Sequence, residues 1–253
     1  MRIRRRAIAI TLPVLVALAV VAFAYAVLCR KSIPEPSYAG ENLSEWLELY
    51  RRPERNGGVP TAAERAVRSV GTNALPCLLE WIRYELPPWR QALLKLATWP
   101  VPGKSLDEGK VVYGKSAIEG QSVRRAEQAQ LGFAILYTNA VSAIPELEAL
   151  MKNNQKPIVG LRAIYALSEI GVPAIPALTN ALANINQTNR IDIIYAIYAM
   201  ERNSPFYDRD TCRAACLPAL TRALNDPDPE VRRQAETTLY NLAPHTLTHV
   251  PAK

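Results

Sequence analysis

The chain has 253 residues, of which 30 are basic and 23 acidic, and its formal net charge is +7. Six of the basic residues and none of the acidic ones precede residue 32, so residues 32–253 carry 24 basic against 23 acidic side chains and bulk charge gives no argument for nucleic-acid binding. Only two histidines and four cysteines are present, and no Ser/His/Asp set, dense carboxylate cluster or metal-ligand run is visible, so neither a catalytic set nor a metal or cofactor is expected.

Arg2, Arg4, Arg5 and Arg6 precede a run from Ala7 to Leu28 that holds no charged residue. As a helix rising about 1.5 Å per residue, that run would span about 33 Å, enough for a hydrocarbon core of about 30 Å. The expectation is a membrane anchor over residues 7–28 within an N-terminal segment 1–31. The larger positive cluster would stay cytoplasmic and the rest would be exported, to the periplasm or the exterior. The rival is a cleavable signal peptide giving a secreted protein, with Ala22-Phe23-Ala24 and Ala24-Tyr25-Ala26 as cleavage sites. A lipoprotein signal would use Cys29, but Leu28 stands where a small residue is needed.

Residues 32–40 read as a linker with two prolines. Over 41–52, Leu43, Trp46, Leu47 and Tyr50 fall on one face of a short helix, with Ser44 or Asn42 as its N-cap. This helix is expected to cover the open end of residues 53–243, a segment built of repeats. The clearest copy is PIVGLRAIYALSEIGVPAIPALTNALA at 157–183. Val159, Ala163, Ala166, Leu167 and Ile170 form one helical face, Gly171 ends the helix in the left-handed conformation, and Pro173 and Pro176 open a second helix carrying Ile175, Leu178 and Leu182. Val59, Ala63, Val67, Val70 and Gly71 repeat the first helix, and Ala74-Leu75-Pro76 with Leu78 repeats the second. A copy at 132–150 has Ala143-Ile144-Pro145 and Leu147 but no turn glycine between Tyr137 and Val141. A further copy begins at IIYAIYAM and continues, after a longer link at Ser204–Arg213, with a helix from Ala215 to Leu224 around Pro218. The last first-helix face is Val231, Ala235, Leu239 and Leu242, with Asp228 as N-cap and Pro229 as the first helical residue.

An insertion at about 85–120 separates the first two copies. Leu86 to Thr98 reads as a helix, and residues 100–120 read as a polar loop rich in Gly, Lys and Ser. GKVVYGKS at 109–116 satisfies the bare phosphate-loop pattern, and Gly103-Lys104-Ser105 is a second such triplet, but no sheet is expected to frame either. His245 and His249 lie in a tail at 244–253 flanked by prolines, with no third ligand. Cys77, Cys212 and Cys216 read as small side chains packed at helix contacts, and a bond between the last two would need an irregular helix start.

The G-x-x-A-[IL]-P-x-L turns at Gly71 and Gly171, and DPDPEVRRQAETTL at 226–239, resemble the HEAT-repeat family, in particular its short bacterial HEAT-like repeats, over about residues 59–243. The fold expected is all-α: a right-handed α-solenoid of about five HEAT-like helical hairpins, preceded by a single transmembrane helix. The resemblance implies a non-enzymatic scaffold that binds a protein or peptide partner on a concave face lined by second helices. Aligning those helices makes Glu80, Arg83, Tyr84, Lys152, Asn153, Asn180, Asn184, Arg222 and Asn225 the candidate contact residues. No nucleic acid and no small-molecule substrate is expected. The alternative is an enzyme or enzyme subunit with its site at the 85–120 insertion, recognised by a pocket with convergent polar groups there.

Overall fold

The computed structural model describes residues 33–51, 61–85, 108–203 and 209–243, and among these the fold is mostly helical. The expected anchor at 7–28, the helix expected at Leu86–Thr98, the Gly103 triplet and both histidines lie outside the described residues. Among the described residues no helix is long and apolar enough to cross a membrane.

No sheet was expected, yet a minimal one is present. β1 (Ser37–Tyr38) pairs antiparallel with β2 (Glu41–Asn42). The two turn residues, Ala39 and Gly40, both have positive φ, 51° and 89°, as a tight two-residue hairpin requires. Helix α1 (Leu43–Arg51) follows at once. Glu45 in its first turn accepts from the backbone N–H of Asn42 at 2.7 Å, so Asn42 is the residue that starts the helix. Leu43 and Leu47 are fully buried, and α1 packs against the helices at 62–70 and 108–136.

The repeats then appear as hairpins. The first is α2 (Ala62–Val70) with α3 (Leu75–Arg83), the second α4 (Glu108–Leu136) with α5 (Ile144–Met151), the third α6 (Pro157–Ile170) with α7 (Ile175–Ala183), and the fourth α8 (Arg190–Asn203) with α9 (Arg209–Ala223). Helix α10 (Pro229–Leu242) is the first helix of a fifth. The first helices stack in the order α2, α4, α6, α8, α10, and each pair of neighbours is in contact. One apolar core runs through them, with Val67, Phe133, Leu167, Ile197 and Leu239 all buried at the interfaces. This is the arrangement of an all-α HEAT-like solenoid.

Local chemistry explains the helix ends. Thr61 caps α2 by accepting from Glu64 N–H at 3.2 Å, and Asp228 caps α10 by accepting from Glu230 N–H at 2.9 Å. Pro76, Pro145 and Pro176 each sit in the first turn of a second helix, where the missing N–H leaves no bond unmade. Gly71 and Gly171 end the first helices with φ, ψ of 59°, −138° and 88°, −145°. Positive φ is as expected, but ψ places both glycines near the mirror image of the β region rather than in the left-handed helical one. That region is essentially closed to side-chain-bearing residues.

Three elements differ from expectation. The polar loop expected up to residue 120 is helical from Glu108, so the triplet Gly114-Lys115-Ser116 lies within a helix and not at the strand-to-helix turn a phosphate loop requires. The second copy replaces the glycine turn with a seven-residue 3-10 stretch, Tyr137–Ala143, and Tyr137 itself has φ 53°. Helix α9 begins at Arg209, well before the expected Ala215, and carries Pro218 inside it. Cys77, Cys212 and Cys216 are free thiols, all buried, as packing residues would be. Burial pushes Cys77 up to about 12. Cys216 is raised because its thiol hydrogen-bonds Cys212 and is buried.

Candidate partner-binding surface

The nine candidate contact residues follow the second helices, and the structure sorts them into three kinds. The first kind is charged and already paired. Arg83, exposed at the end of α3, bonds the Glu146 carboxylate of α5. Lys152, just past α5, donates to Glu148 one turn earlier at 2.6 Å. Exposed pairs of this sort contribute little to stability, but they neutralise each other's field. Glu80 is half-buried and also engaged.

The second kind shapes the links between hairpins. Helix α5 ends at Met151 and α7 at Ala183, so Asn153 and Asn184 lie beyond the helices. Asn153 Oδ1 accepts from Gln155 N–H and Asn184 Oδ1 from Asn186 N–H, both at 3.1 Å. Each side chain thus mimics a backbone turn acceptor. Asp226 does the same for Asp228 N–H at 2.9 Å. The links bond one another too: Asn154 Nδ2 donates to Asn186 O and Gln187 Nε2 to Met151 O, at 3.1 and 2.8 Å. Tyr84 acts through its backbone. Arg162 Nη1 of α6 donates to the Tyr84 carbonyl at 2.7 Å and satisfies the end of α3. Burial lowers the Arg162 pKa.

The third kind lines a groove. Helices α7 and α9 pack side by side and leave a furrow of about 240 Å³ between them and their links. Leu182, Ala219 and Ala223 form its floor, and Ile185, 64% exposed, stands on one wall. Arg222 and Asn225 stand on the other, and Asn180 is exposed on α7 next to the lining residue Thr179. Asp226 closes the end. Its carboxylate is taken by Arg190, which is buried, and Arg190 Nη2 also lies 3.9 Å from Asp228 Oδ2. Sequence reasoning found the polar wall and missed the apolar one. The available signal was Ile185, an aliphatic residue in the otherwise polar link NINQTN.

The first helices carry hollows of their own. One of about 240 Å³ between α4 and α6 exposes Val123 and Ile158, and one of about 290 Å³ beside it is lined by Glu127, Gln130 and Glu169. Glu169 accepts from Gln130 Nε2 at 3.0 Å, and its carboxyl is raised by burial despite that bond. A third hollow, about 560 Å³ and open, lies between α1, β1 and α2, beside the edge-to-face pair Tyr38–Trp46. Among the described residues no group of three or more His, Cys, Asp or Glu side chains is placed to hold a metal.

Residues 159–184, the whole of the α6 turn and α7, match the family model for the PBS lyase HEAT-like repeat, and residues 216–246 match the HEAT repeat model. Neither the curated proteins nor the solved structures contain a match to the chain. HEAT repeats generally serve as protein-interaction scaffolds and are typically non-enzymatic. With matches in two separate parts of the stacked array, the chain carries HEAT-type repeats.

Proposed function

We propose that this protein is a membrane-tethered, non-enzymatic scaffold that holds a protein or peptide partner on the second-helix side of its repeat array. The α7–α9 groove carries this reading. It combines an exposed aliphatic side chain, an apolar floor and a polar wall, which is the make-up of a protein-contact site. At about 240 Å³ it is below the roughly 300–1,000 Å³ of small-molecule pockets, so it suits a few side chains of a larger partner. The same proposal makes residues 1–31 an anchor, 32–40 a linker, 41–52 an end cap and 53–243 the exported binding domain.

Photocrosslinking of the full chain in its native membrane, read by mass spectrometry, tests the site. Crosslinks are expected from α7 and α9 and their links. Crosslinks concentrated on residues 86–107 or on the first helices would remove this reading. The tether is tested by fractionation. The chain should resist alkaline carbonate extraction and start at its own N-terminus, whereas a soluble product beginning near Tyr25 or Val27 would establish cleavage.

A further inference from the structure

The candidate cations of the second-helix side are not equivalent once their partners are known. Arg83 is matched by Glu146 and Lys152 by Glu148. Arg222 donates from Nε to the Pro218 carbonyl at 3.3 Å, and no carboxylate pairs with it among the described residues. The acid of the same groove, Asp226, is cancelled by buried Arg190 and held further by Asp228 N–H. Among the described residues the groove therefore presents one uncompensated positive charge above an apolar floor.

Resting on the scaffold reading, we propose that the α7–α9 groove takes an acidic peptide segment of the partner protein, an aliphatic side chain lying on Leu182, Ala219 and Ala223 against Ile185 while a neighbouring Asp or Glu side chain meets Arg222. The guanidinium is a planar fork, and with Nε turned back to its own helix both Nη groups, among the described residues, remain open for a bidentate carboxylate. A basic segment would set like charge against Arg222 with nothing in the groove to offset it. A small acid alone would leave Ile185, 64% exposed, and the alanine floor uncovered. The groove selects an acid next to an aliphatic residue.

The test uses the full chain in detergent and a short fluorescein-labelled peptide alternating leucine and glutamate, read by fluorescence anisotropy. Twin peptides replace glutamate by lysine or leucine by serine. The leucine–glutamate peptide should bind, and each twin should bind about tenfold more weakly or less. Arg222→Ala should weaken the first peptide about tenfold and flatten its salt dependence, and Arg222→Lys should restore part of the loss. Ala183→Trp, which fills the groove from an exposed position and leaves the charge unchanged, should weaken it too, with helical content intact by circular dichroism. Absence of binding, equal binding of the lysine twin, or full affinity in Arg222→Ala would each overturn the acidic assignment. If that happens while native crosslinks still map to α7 and α9, the scaffold reading stands and only the partner chemistry falls. Crosslinks elsewhere would remove both.

Discussion

Hairpin α6/α7 turns at Gly171 with φ 88°, and its neighbour α4/α5 turns at Tyr137 with φ 53°. Behind Gly171 a three-residue 3-10 stretch suffices, whereas seven residues follow the α4 end. Both hairpins nevertheless start their second helix alike, at Ala174-Ile175-Pro176 and Ala143-Ile144-Pro145. Leu178 and Leu147 are both fully buried. The Ala-Ile-Pro-x-Leu segment therefore sets the register of the second helix. The glycine sets only how directly the chain reaches it, and a longer 3-10 path replaces it at the cost of a side chain at positive φ.

The hardest test of this comparison is to hollow the first-helix layer at its centre. Leu167 is fully buried in α6 between α4 and α8, and Leu167→Ala is expected to cost about 2–5 kcal/mol. Leu47 is equally buried but belongs to α1, which packs chiefly on the first helices of the first two hairpins. Leu47→Ala should cost less and fray one end. Urea unfolding followed by fluorescence and by circular dichroism would check both, and equal losses would show that α1 is an integral layer rather than an end cap.

Much of this contrast was legible in sequence. The matched turn residues predicted the hairpins, the missing glycine at Tyr137–Val141 predicted an irregular turn, and Asp228 and Pro229 predicted the start of α10. The early half of α4 was not legible. Gly109, Gly114 and Gly120 each lower helix propensity by about 1 kcal/mol, so residues 108–120 read as a loop. A helix already nucleated by the packed stretch ending at Leu136 adds residues cheaply, and that cooperativity does not show in local composition. The binding wall was half legible. Alignment located Arg83, Lys152 and Arg222, but the partner of Arg83 lies 63 residues away, and pairing across that distance decides which cation is free.

Next in size is the turn itself. Gly171 sits in backbone space that side chains rarely enter, so Gly171→Val should cost about 1–3 kcal/mol through backbone strain. At Gly71, which makes the same kind of turn, no atom lies within 4 Å of the Cβ it would gain, so there the cost of a side chain is backbone strain and not crowding. A melting temperature unchanged in Gly171→Val would mean that the turn relaxes, and that the two hairpins differ less than their angles indicate. The reciprocal change is smaller and of opposite sign. Tyr137→Gly removes the side chain at positive φ but loosens the unfolded chain, so a gain of up to about 1 kcal/mol is expected. A clear loss would show that Tyr137 packing outweighs its backbone strain.

The smallest effect lies at the seam between the two hairpins, where Glu169 of α6 accepts from Gln130 of α4 at 3.0 Å. Burial raises the Glu169 pKa above the ordinary glutamate value, and the bond from Gln130 opposes the rise only in part. The folded state thus holds the Glu169 proton more tightly than the unfolded chain does. By linkage, the stability this residue contributes is fully present below its unfolded pKa and is lost as pH rises through its folded pKa. Glu169→Gln keeps the size and the seam while removing the titration. Melting temperatures measured at about pH 4 and about pH 7 should therefore fall less with rising pH in the variant than in the wild type, other carboxylates contributing equally to both. Parallel pH profiles would mean that Glu169 has the same proton affinity in both states. The seam would then be an ordinary wet contact, and the two hairpins would be joined by their apolar faces alone.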